Sequence, residues 1–401
     1  MATYVERVWA PGRDSLLPNR DRKASKYLAY IPDDLPETLA PFSPGTQSVA
    51  NSALQALVRA DERIARSGPF FNNLLIRSES ISSSWIEGNR ISVKKLAIAE
   101  ALKSGSQVAI AVLANVRATE KALEVLATSA HSITVDDILD LHHTVEPSLE
   151  RGIRKVQNFV GGTGWSPLRA DFVPPPETEV ERLLENLVAF LNATDGNPLI
   201  RTAVAHAQFE TIHPFEDGNG RTGRALIHAI LKRNGILQKS LIPISTVFSN
   251  TANSYIQGLT AFRRDAIGIE EWVVAFCEAA IVAAESAVEF ADDLADLERI
   301  QRDKLLANRS SQGKSPVEPR KNSLVLKLLG DLISNPVVTT ESVANKFEVS
   351  RQAAHLALTE LSEASILNIS KDQKGRQQCY TADDILKLIQ LSENTIKGNK
   401  K

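Results

Sequence analysis

The chain has 401 residues, of which 43% are hydrophobic and 23% are charged, so it can bury full-sized cores and is long enough for roughly two or three globular domains. Its formal net charge of −2 gives no overall attraction to nucleic acid or to an anionic membrane, so such binding would need a local patch. Cys277 and Cys379 are the only cysteines, which excludes an ordinary zinc site and a disulfide framework. With no long apolar run, we expect a cytoplasmic protein without a membrane span.

The first part of the chain, residues 1–45, is predicted to be an irregular N-terminal arm, because its prolines interrupt any period. From residue 46 to about residue 307 the apolar spacing is mostly helical, as in SALQALVRADERIA and EVERLLENLVAFLN. A long helix is predicted across EEWVVAFCEAAIVAAESAVEFADDLADLERIQRDKLL. We interpret this region as an all-α helix bundle.

One segment interrupts the helical pattern. The sequence GIRKVQNFVGGTGWSPLRADFVPPP has adjacent glycines, β-forming residues on both sides and three prolines at its end. This composition is typical of a hairpin rather than of a helix. We therefore predict a hairpin or extended flap at about residues 157–173, lying over the helical body.

The remaining sequence predicts a separate small domain. Residues 308–322 are polar and charged and contain two prolines, which indicates a linker. Residues 323–395 then predict helix, helix, turn, helix, short hairpin and helix, with Ser350 capping the helix RQAAHLALTEL. This order resembles a winged helix.

Such a domain can bind DNA or dock a protein, and both alternatives stay open. For DNA binding, the residues predicted to face a major groove are Arg351, Gln352 and His355. Those predicted to lie near phosphate are Lys371, Lys374 and Arg376. Several acidic residues reduce the net positive charge of this face.

The segment HPFEDGNGRTGR, residues 213–224, has the residue types that bind phosphate. Its glycine-rich turn enters an apolar helix, so the backbone N–H groups of Gly218, Asn219 and Gly220 would point outward as a phosphate cradle. With Gly223 these glycines also match a dinucleotide-binding fingerprint, but no predicted strand precedes them, which excludes that fold. The phosphate cradle does not depend on the fingerprint.

Four side chains of the same segment add chemistry to the cradle. Arg221 and Arg224 are three residues apart, so both guanidinium groups would reach a polyphosphate from one side of the helix. Asp217 offers a hard oxygen ligand suited to Mg²⁺. His213 has an unperturbed pKa near neutrality, which suits a general base. Together these residues indicate phosphoryl-type chemistry.

Every defined position of HPFEDGNGRTGR matches the motif HxFx(D/E)GNGRxxR, and on these residues the chain resembles Fic-domain proteins. The resemblance implies an all-α core with a small β-hairpin flap, and transfer of AMP from ATP to a Ser, Thr or Tyr hydroxyl of a target protein. It implies that His213 is the general base, that Asp217 binds Mg²⁺ and that Phe215 is a buried anchor. The implied nucleotide-binding residues are Gly218, Asn219, Gly220, Arg221 and Arg224.

Two further segments resemble parts of this family. The segment 157–173 resembles its flap, which docks the target by strand pairing, and the implied docking residues are Phe159, Val160, Gly161 and Gly162. The stretch SSSWIEGN resembles the inhibitory motif (S/T)xxxE(G/N), with Ser83, Glu87 and Gly88 in the defined places. This implies an inhibitory helix at about residues 80–90, in which Glu87 pairs with Arg224 and displaces the γ-phosphate.

The stretch IPISTVFSNTANSYIQGL follows the motif helix, and in the family this region lines the adenine pocket. The candidate residues in it are Asn250, Asn253 and Tyr255. We therefore expect a protein adenylyltransferase that is autoinhibited by Glu87, uses ATP as substrate and requires Mg²⁺.

Two alternative functions stay open. The chain would be a DNA-binding transcriptional regulator whose Fic body only senses a nucleotide, or a Fic enzyme that uses another nucleotide or removes AMP. The expected partners are ATP and a target protein, with no membrane. DNA binding through the C-terminal domain and formation of a homodimer are left undecided by the sequence.

Overall fold

The computed structural model describes residues 2–11, 21–128, 132–162, 166–371 and 378–395. Within these ranges the helices are α1 (Pro44–Ile64), α2 (Pro69–Ile86), α3 (Val93–Ala101), α4 (Gln107–Lys121), α5 (Val135–Val145), α6 (Val180–Asn192), α7 (Pro198–Ile212), α8 (Asn219–Arg233), α9 (Ile244–Asn250), α10 (Ala252–Phe262), α11 (Ala266–Ser311), α12 (Leu324–Asp331), α13 (Thr340–Lys346), α14 (Arg351–Glu363) and α15 (Asp383–Thr395). The strands are β1 (Thr3–Trp9), β2 (Ser25–Ile31), β3 (Val337–Val338), β4 (Asn368–Lys371) and β5 (Gln378–Thr381). The predicted all-α fold with small β elements is confirmed.

The prediction of an irregular N-terminal arm was wrong for its first part. Strands β1 and β2 pair antiparallel in register, from Thr3 opposite Ile31 to Trp9 opposite Ser25. Their sequences TYVERVW and SKYLAYI are rich in aromatic and β-branched residues, which favour a strand. The ladder ends at Ile31 because Pro32 follows, and proline has no N–H to donate. The prolines therefore mark the end of the hairpin.

The chain divides into two compact units. The first comprises residues 1–54, 117–236 and 253–278, and the second comprises residues 55–116, 237–252 and 279–401. Helices α1, α4 and α11 contribute residues to both. The predicted domain boundaries at 46–307, 308–322 and 323–395 stay predictions, although α11 continues to Ser311 and so enters the predicted linker.

Helices α7 and α8 form the centre of the first unit. Every residue of α7 from Leu199 to Ile212 is buried, as is every residue of α8 up to Leu231. A Cβ at Gly223 would lie 2.7 Å from a carboxylate oxygen of Glu210. The glycine therefore serves close packing of the two helices, which explains its place in the sequence without a dinucleotide fold.

In the second unit, buried carboxylates cap backbone groups. Glu79 of α2 accepts a hydrogen bond from the N–H of Ser245 at 2.9 Å, in the first turn of α9. Asp61 of α1 accepts from the N–H of Ser240 at 2.7 Å and from the preceding two residues. Because such N–H groups are unpaired at a helix start or in a loop, the carboxylates stabilise the segment that carries α9.

The end of the chain follows the predicted order of elements. Helices α13 and α14 are separated by a short turn that contains Glu348, and β3, β5 and β4 pair in that order as an antiparallel sheet. Strand β3 was not predicted. Among the described residues, none of the helices has the length and apolar character needed to cross a membrane.

Candidate functional site

The turn between α7 and α8 begins with His213 in a left-handed conformation, at φ 51° and ψ 60°. A residue other than glycine in this conformation costs about 1–3 kcal/mol and persists only where its surroundings fix it. Here the His213 N–H donates to Phe209, while the His213 carbonyl oxygen accepts from Arg154 Nε at 2.9 Å and from Asn158 Nδ2 at 3.4 Å. Hydrogen bonds to the main chain thus hold the candidate base in place.

The imidazole of His213 is half-buried, and its Nδ1 lies 3.4 Å from the carbonyl oxygen of Glu210. Because a carbonyl oxygen only accepts hydrogen bonds, this contact favours the tautomer with the proton on Nδ1. The lone pair is then on Nε2, the nitrogen that would take a proton if His213 acts as the base.

The middle of the turn is held by Asn219 and Phe215. The amide of Asn219 accepts from the Phe215 N–H and donates to the Phe215 carbonyl, both at 2.9 Å. The Phe215 ring is fully buried and stacks on the ring of His142 at a centroid distance of 3.7 Å. Because these contacts fix both ends of the turn, its glycines present the backbone in one conformation.

The start of α8 has the geometry of an anion site. Gly218 precedes the helix with φ 78°, and the first N–H groups of the helix, at Asn219, Gly220 and Arg221, have no carbonyl partner within it. The Gly218 N–H instead donates to the carboxylate of Asp217 at 2.6 Å. The candidate cradle is therefore at Gly218 and the first turn of α8, and nucleotide binding by Gly218, Asn219 and Gly220 stays a prediction.

Arg221 is the most informative side chain of the turn. It is only 2% exposed, and its Nη2 donates to Glu146 Oε2 at 2.9 Å. Its Nε and Nη1 atoms are buried and have no hydrogen-bond partner within the described parts of the chain. Since an arginine stays protonated and a buried unmet donor is costly, these N–H groups fit an anionic ligand. Arg224, one turn further along α8, is also buried.

The candidate Mg²⁺ ligand Asp217 has a side chain that is 75% exposed. Among the described residues, no cluster of three or more His, Cys, Asp or Glu side chains converges on a metal site. Mg²⁺ commonly takes one or two carboxylates and completes its shell with water and substrate phosphates. The single carboxylate of Asp217 beside the anion cradle fits that kind of site.

Residues 132–231 match the model of the Fic/DOC family. This chain therefore contains a Fic domain. In structure, the chain is similar to a Fic family protein from Desulfovibrio desulfuricans, with a TM-score of 0.52 and 20% identity over 86% of this chain and 98% of that one, which shows the fold.

Two curated relatives are similar over the Fic domain. Protein adenylyltransferase fic-1 of Caenorhabditis briggsae is 32% identical over 145 residues, 34% of this chain and 27% of the relative. Protein adenylyltransferase Fic of Nematostella vectensis is 37% identical over 117 residues, 27% of this chain and 25% of the relative. The chain thus spans about a quarter of the length of each of these relatives.

Two residues of α5 and its end, which sequence reasoning missed, complete the Fic turn. His142 is buried, and its Nε2 lies 2.9 Å from the Asp217 carbonyl oxygen, to which it must donate. Burial lowers the pKa of His142. Glu146 accepts a hydrogen bond from Arg221. Burial by itself would raise the pKa of the Glu146 carboxyl, but hydrogen bonds from Ser148 and Arg221 lower this pKa below its usual value. The only sequence signal was their spacing of four on a helix next to the Fic motif.

Arg154 is a third residue that was missed. Its guanidinium is buried and donates only to carbonyl oxygens: those of His213, Ile212, Val156 and Pro175. Burial lowers its pKa to about 10. It therefore neutralises the carbonyl end of α7 and ties that end to both stems of the flap. A lone arginine near a glycine gave no sequence signal for this role.

The flap predicted at 157–173 is present in reduced form. Val160 and Phe172 form one antiparallel bridge rather than a ladder, and residues 163–165 lie outside the described residues. Phe159 and Val160 are half-exposed. Gly161 and Gly162 have φ of 72° and 65°, a left-handed conformation that is strained for residues with a side chain. The Gly162 N–H donates to the Asp171 carboxylate at 3.0 Å.

The candidate adenine-pocket residues are placed as follows. Asn250 ends α9, in the second unit. Asn253 is exposed on α10, whereas Tyr255 is buried and its hydroxyl lies 2.8 Å from Nε2 of His206. His206 is fully buried, and burial lowers its pKa to about 3. A role of these residues in adenine binding stays a prediction.

The predicted inhibitory helix corresponds to the end of α2. Ser83 is buried in the helix, Glu87 is its exposed C-cap, and Gly88 follows with φ 83°. The motif therefore marks a helix end at which glycine allows a sharp turn. The pairing of Glu87 with Arg224 stays a prediction.

The basic face of the C-terminal region is described in part. Arg351, Gln352 and His355 are exposed on the first turns of α14, and Arg351 lies 3.4 Å from Glu341. Lys371 is exposed at the end of β4. The other two predicted phosphate-contacting residues, Lys374 and Arg376, lie outside the described residues. Winged-helix function stays a prediction.

Proposed function

We propose that this protein is a protein adenylyltransferase that transfers AMP from ATP to a Ser, Thr or Tyr hydroxyl of a target protein. The observation that carries the proposal is the buried Arg221 guanidinium at the start of α8, with two N–H groups left for an anion and a histidine ending the preceding helix. The two curated relatives, fic-1 of Caenorhabditis briggsae and Fic of Nematostella vectensis, are named protein adenylyltransferases, which supports the same activity.

In the proposed reaction, Nε2 of His213 takes the proton of the target hydroxyl, and the hydroxyl oxygen forms a bond to the α-phosphorus of ATP. The bond between that phosphorus and the oxygen bridging to the β-phosphate breaks, so pyrophosphate leaves. Arg221 and Arg224 would bind the β- and γ-phosphates and stabilise the charge of the leaving group. The N–H groups that open α8 would hold the remaining phosphate oxygens.

Asp217 would hold Mg²⁺, which when bound neutralises phosphate charge and orients the triphosphate. The protein's own part is to fix the Asp217 backbone. His142 donates to the Asp217 carbonyl, and the Asp217 carboxylate accepts from the Gly218 N–H. These contacts set the direction of the carboxylate relative to the anion cradle.

Autoinhibition by Glu87 is part of the proposal. Glu87 would pair with Arg224, take the place of the γ-phosphate and leave ATP bound unproductively. The match of SSSWIEGN to the family's inhibitory motif supports this role, and Gly88, at φ 83°, lets the chain turn after Glu87.

The test is transfer of label from α-labelled ATP to the proteins of a cell lysate. Replacing Glu87 with Gly should raise labelling at least tenfold over the parent, and adding His213→Ala should abolish it while ATP still binds. Glu124→Gly, another glutamate of the chain, is the matched control. Equal labelling by parent and Glu87→Gly would refute autoinhibition, and transfer by the His213→Ala form would refute the base.

The donor nucleotide needs its own measurement, because phosphate contacts at Arg221 do not distinguish one base from another. Competition of GTP, CTP and UTP against labelled ATP in the Glu87→Gly form should leave ATP the preferred donor. Equal competition by a second nucleotide would show that ATP is not the preferred donor, and it would leave the proposed phosphate site unchanged.

Binding of DNA is a second candidate function, favoured by the exposed Arg351, Gln352 and His355 at the start of α14. A gel shift of the full chain with duplex DNA should weaken steeply as salt rises, because phosphate contacts release counterions. Binding by an Arg351→Ala and Gln352→Ala form equal to the parent would remove this face from consideration.

A further inference from the structure

In the residues that the structure describes, the flap has little regular secondary structure. Its strands share one bridged pair, Val160 with Phe172, and Gly161 and Gly162 carry left-handed φ angles next to that pair. An isolated two-stranded ribbon is marginal in water even when its ladder is longer than this. Another part of the chain must therefore supply most of the free energy that keeps the flap in one conformation.

The N-terminal hairpin, β1 and β2, supplies three direct contacts to the flap. The Tyr30 N–H donates to the carbonyl oxygen of Val173 at 3.0 Å, which continues the flap pairing onto β2. The rings of Tyr30 and Phe172 meet edge to face at 5.8 Å. The rings of Trp9 and Phe159 meet in the same way at 6.4 Å. Each flap strand is therefore covered by one aromatic residue of the hairpin.

A polar contact joins the same two elements. Arg169, in the return segment of the flap, donates from Nε to Asp21 Oδ1 at 3.1 Å, and Asp21 is only 1% exposed. Trp9 donates from Nε1 to the Asp21 carbonyl at 2.9 Å. One residue thus holds the Trp9 indole and the flap together in a desolvated contact, where a charge-assisted hydrogen bond is stronger than at the surface.

The hairpin also carries exposed apolar side chains for which no contact with the flap is described. Val8, the neighbour of Trp9, is 65% exposed, and Leu28 on β2 is 56% exposed. Because side chains alternate along a strand, Val8 points to the face opposite that of Trp9. The hairpin therefore adds little to the core through these apolar residues.

We propose that the N-terminal hairpin is a positioning element for the flap, and that Trp9 and Tyr30 hold the flap edge in the conformation that pairs with a target segment. Both residues act through Phe159 and Phe172, so they are positioning residues. The proposal rests on the proposed transfer to a target docked at the flap.

The first test measures hydrogen exchange of the full-length protein and needs no activity. Trp9→Ala should speed exchange of the Val160 and Phe172 amides by roughly fivefold to tenfold, the effect of losing one aromatic pair. Val8→Ala is the matched control and should leave these amides unchanged. Trp9→Phe retains a ring but loses the indole N–H that donates to Asp21, so it should restore only part of the protection. Amides of α8 report whether the remaining fold is intact.

Equal exchange at the flap in Trp9→Ala and parent would overturn the proposal. If Trp9→Ala also speeds exchange in α8, Trp9→Phe is compared with Val8→Ala. If the flap amides exchange faster in Trp9→Phe than in Val8→Ala while α8 is unchanged, the proposal is supported. Equal exchange of the flap amides in these two variants would overturn the proposal.

The second test uses the Glu87→Gly background and α-labelled ATP with lysate proteins. Trp9→Ala should lower labelling by about fivefold while the ATP concentration for half-maximal labelling stays the same. Unchanged labelling despite faster flap exchange would refute a role in docking. If the Glu87→Gly form itself shows no transfer, the proposed function fails, and the exchange measurement still decides whether the hairpin holds the flap.

Discussion

In the turn between α7 and α8, buried side chains from three separate segments hold the backbone, whereas in the flap a single bridged pair joins the two strands. Arg154, His142 and Asn219 bond to backbone groups of the turn. The flap has positive-φ glycines and half-exposed side chains instead. Groups that act on phosphate must be placed within a fraction of an ångström, while a surface that pairs with a peptide strand can adapt. In the proposed function, the tightly held turn would carry the chemistry and the flap would dock the target.

The largest expected effect tests the rigid region through its anion site. In the Glu87→Gly background, Arg221→Met should lower the rate of labelled AMP transfer on the order of 10³-fold, because an arginine that stabilises phosphoryl-transfer charge has effects of this size. Lys155→Met, at an exposed basic residue of the same unit, is the control and should change the rate less than about twofold. Initial rates at saturating ATP decide, and a loss under tenfold would contradict the role of Arg221.

The next effect tests what holds the turn. Arg154→Met removes a buried donor from four carbonyl oxygens, so the free energy of unfolding should fall by roughly 2–4 kcal/mol, and transfer should fall about 100-fold because the His213 backbone shifts. Urea unfolding measures the change in the free energy of unfolding, and initial rates measure the change in transfer. Arg151→Met is the control, because it removes exposed ion pairs and one exposed hydrogen bond to the Asp136 carbonyl oxygen, and it should leave the free energy of unfolding nearly unchanged. Transfer by Arg154→Met at the parent rate would show that the turn holds itself.

A third prediction concerns pH and the buried side of α7. Unfolded His206 takes a proton near pH 6.5, but burial lowers the folded pKa to about 3, so the folded state loses stability as pH falls below 6.5. At pH 5 this histidine alone should cost about 2 kcal/mol relative to pH 7. His206→Gln should therefore show a smaller drop in the free energy of unfolding between these pH values. The same drop in parent and variant would contradict a neutral buried ring.

The smallest expected effect tests the flap. Gly162→Ala forces a side chain into a left-handed conformation, at a cost of about 1–2 kcal/mol, and should lower labelling of lysate proteins by about tenfold without changing the ATP requirement. Gly196→Ala has φ 83° and open space around it, so it carries the same backbone φ strain away from the flap, without the clash that a Cβ at Gly162 would make with the Arg169 carbonyl oxygen. If Gly196→Ala lowers labelling equally, the effect comes from stability and not from the flap.

Local sequence gave the site motif and most of the helices, because both depend on neighbouring residues. The twelve residues from His213 to Arg224 carry the histidine, the turn and both arginines, and Ser350 was predicted as the residue that caps α14. The position of the flap followed from Gly161 and Gly162. These features were predictable because side-chain type and spacing determine backbone conformation over one or two turns.

Tertiary structure alone decided which distant residues support that motif. Arg154, His142 and Glu146 lie 59 to 75 residues before the groups they contact, and no pattern in one sequence reports a contact at that separation. The N-terminal hairpin was missed for the same reason, since its contacts to the flap span more than 140 residues and the prolines after Ile31 dominated the local pattern. A hydrogen bond between remote segments depends on the packed fold, whose free energy comes from burial shared by the whole chain.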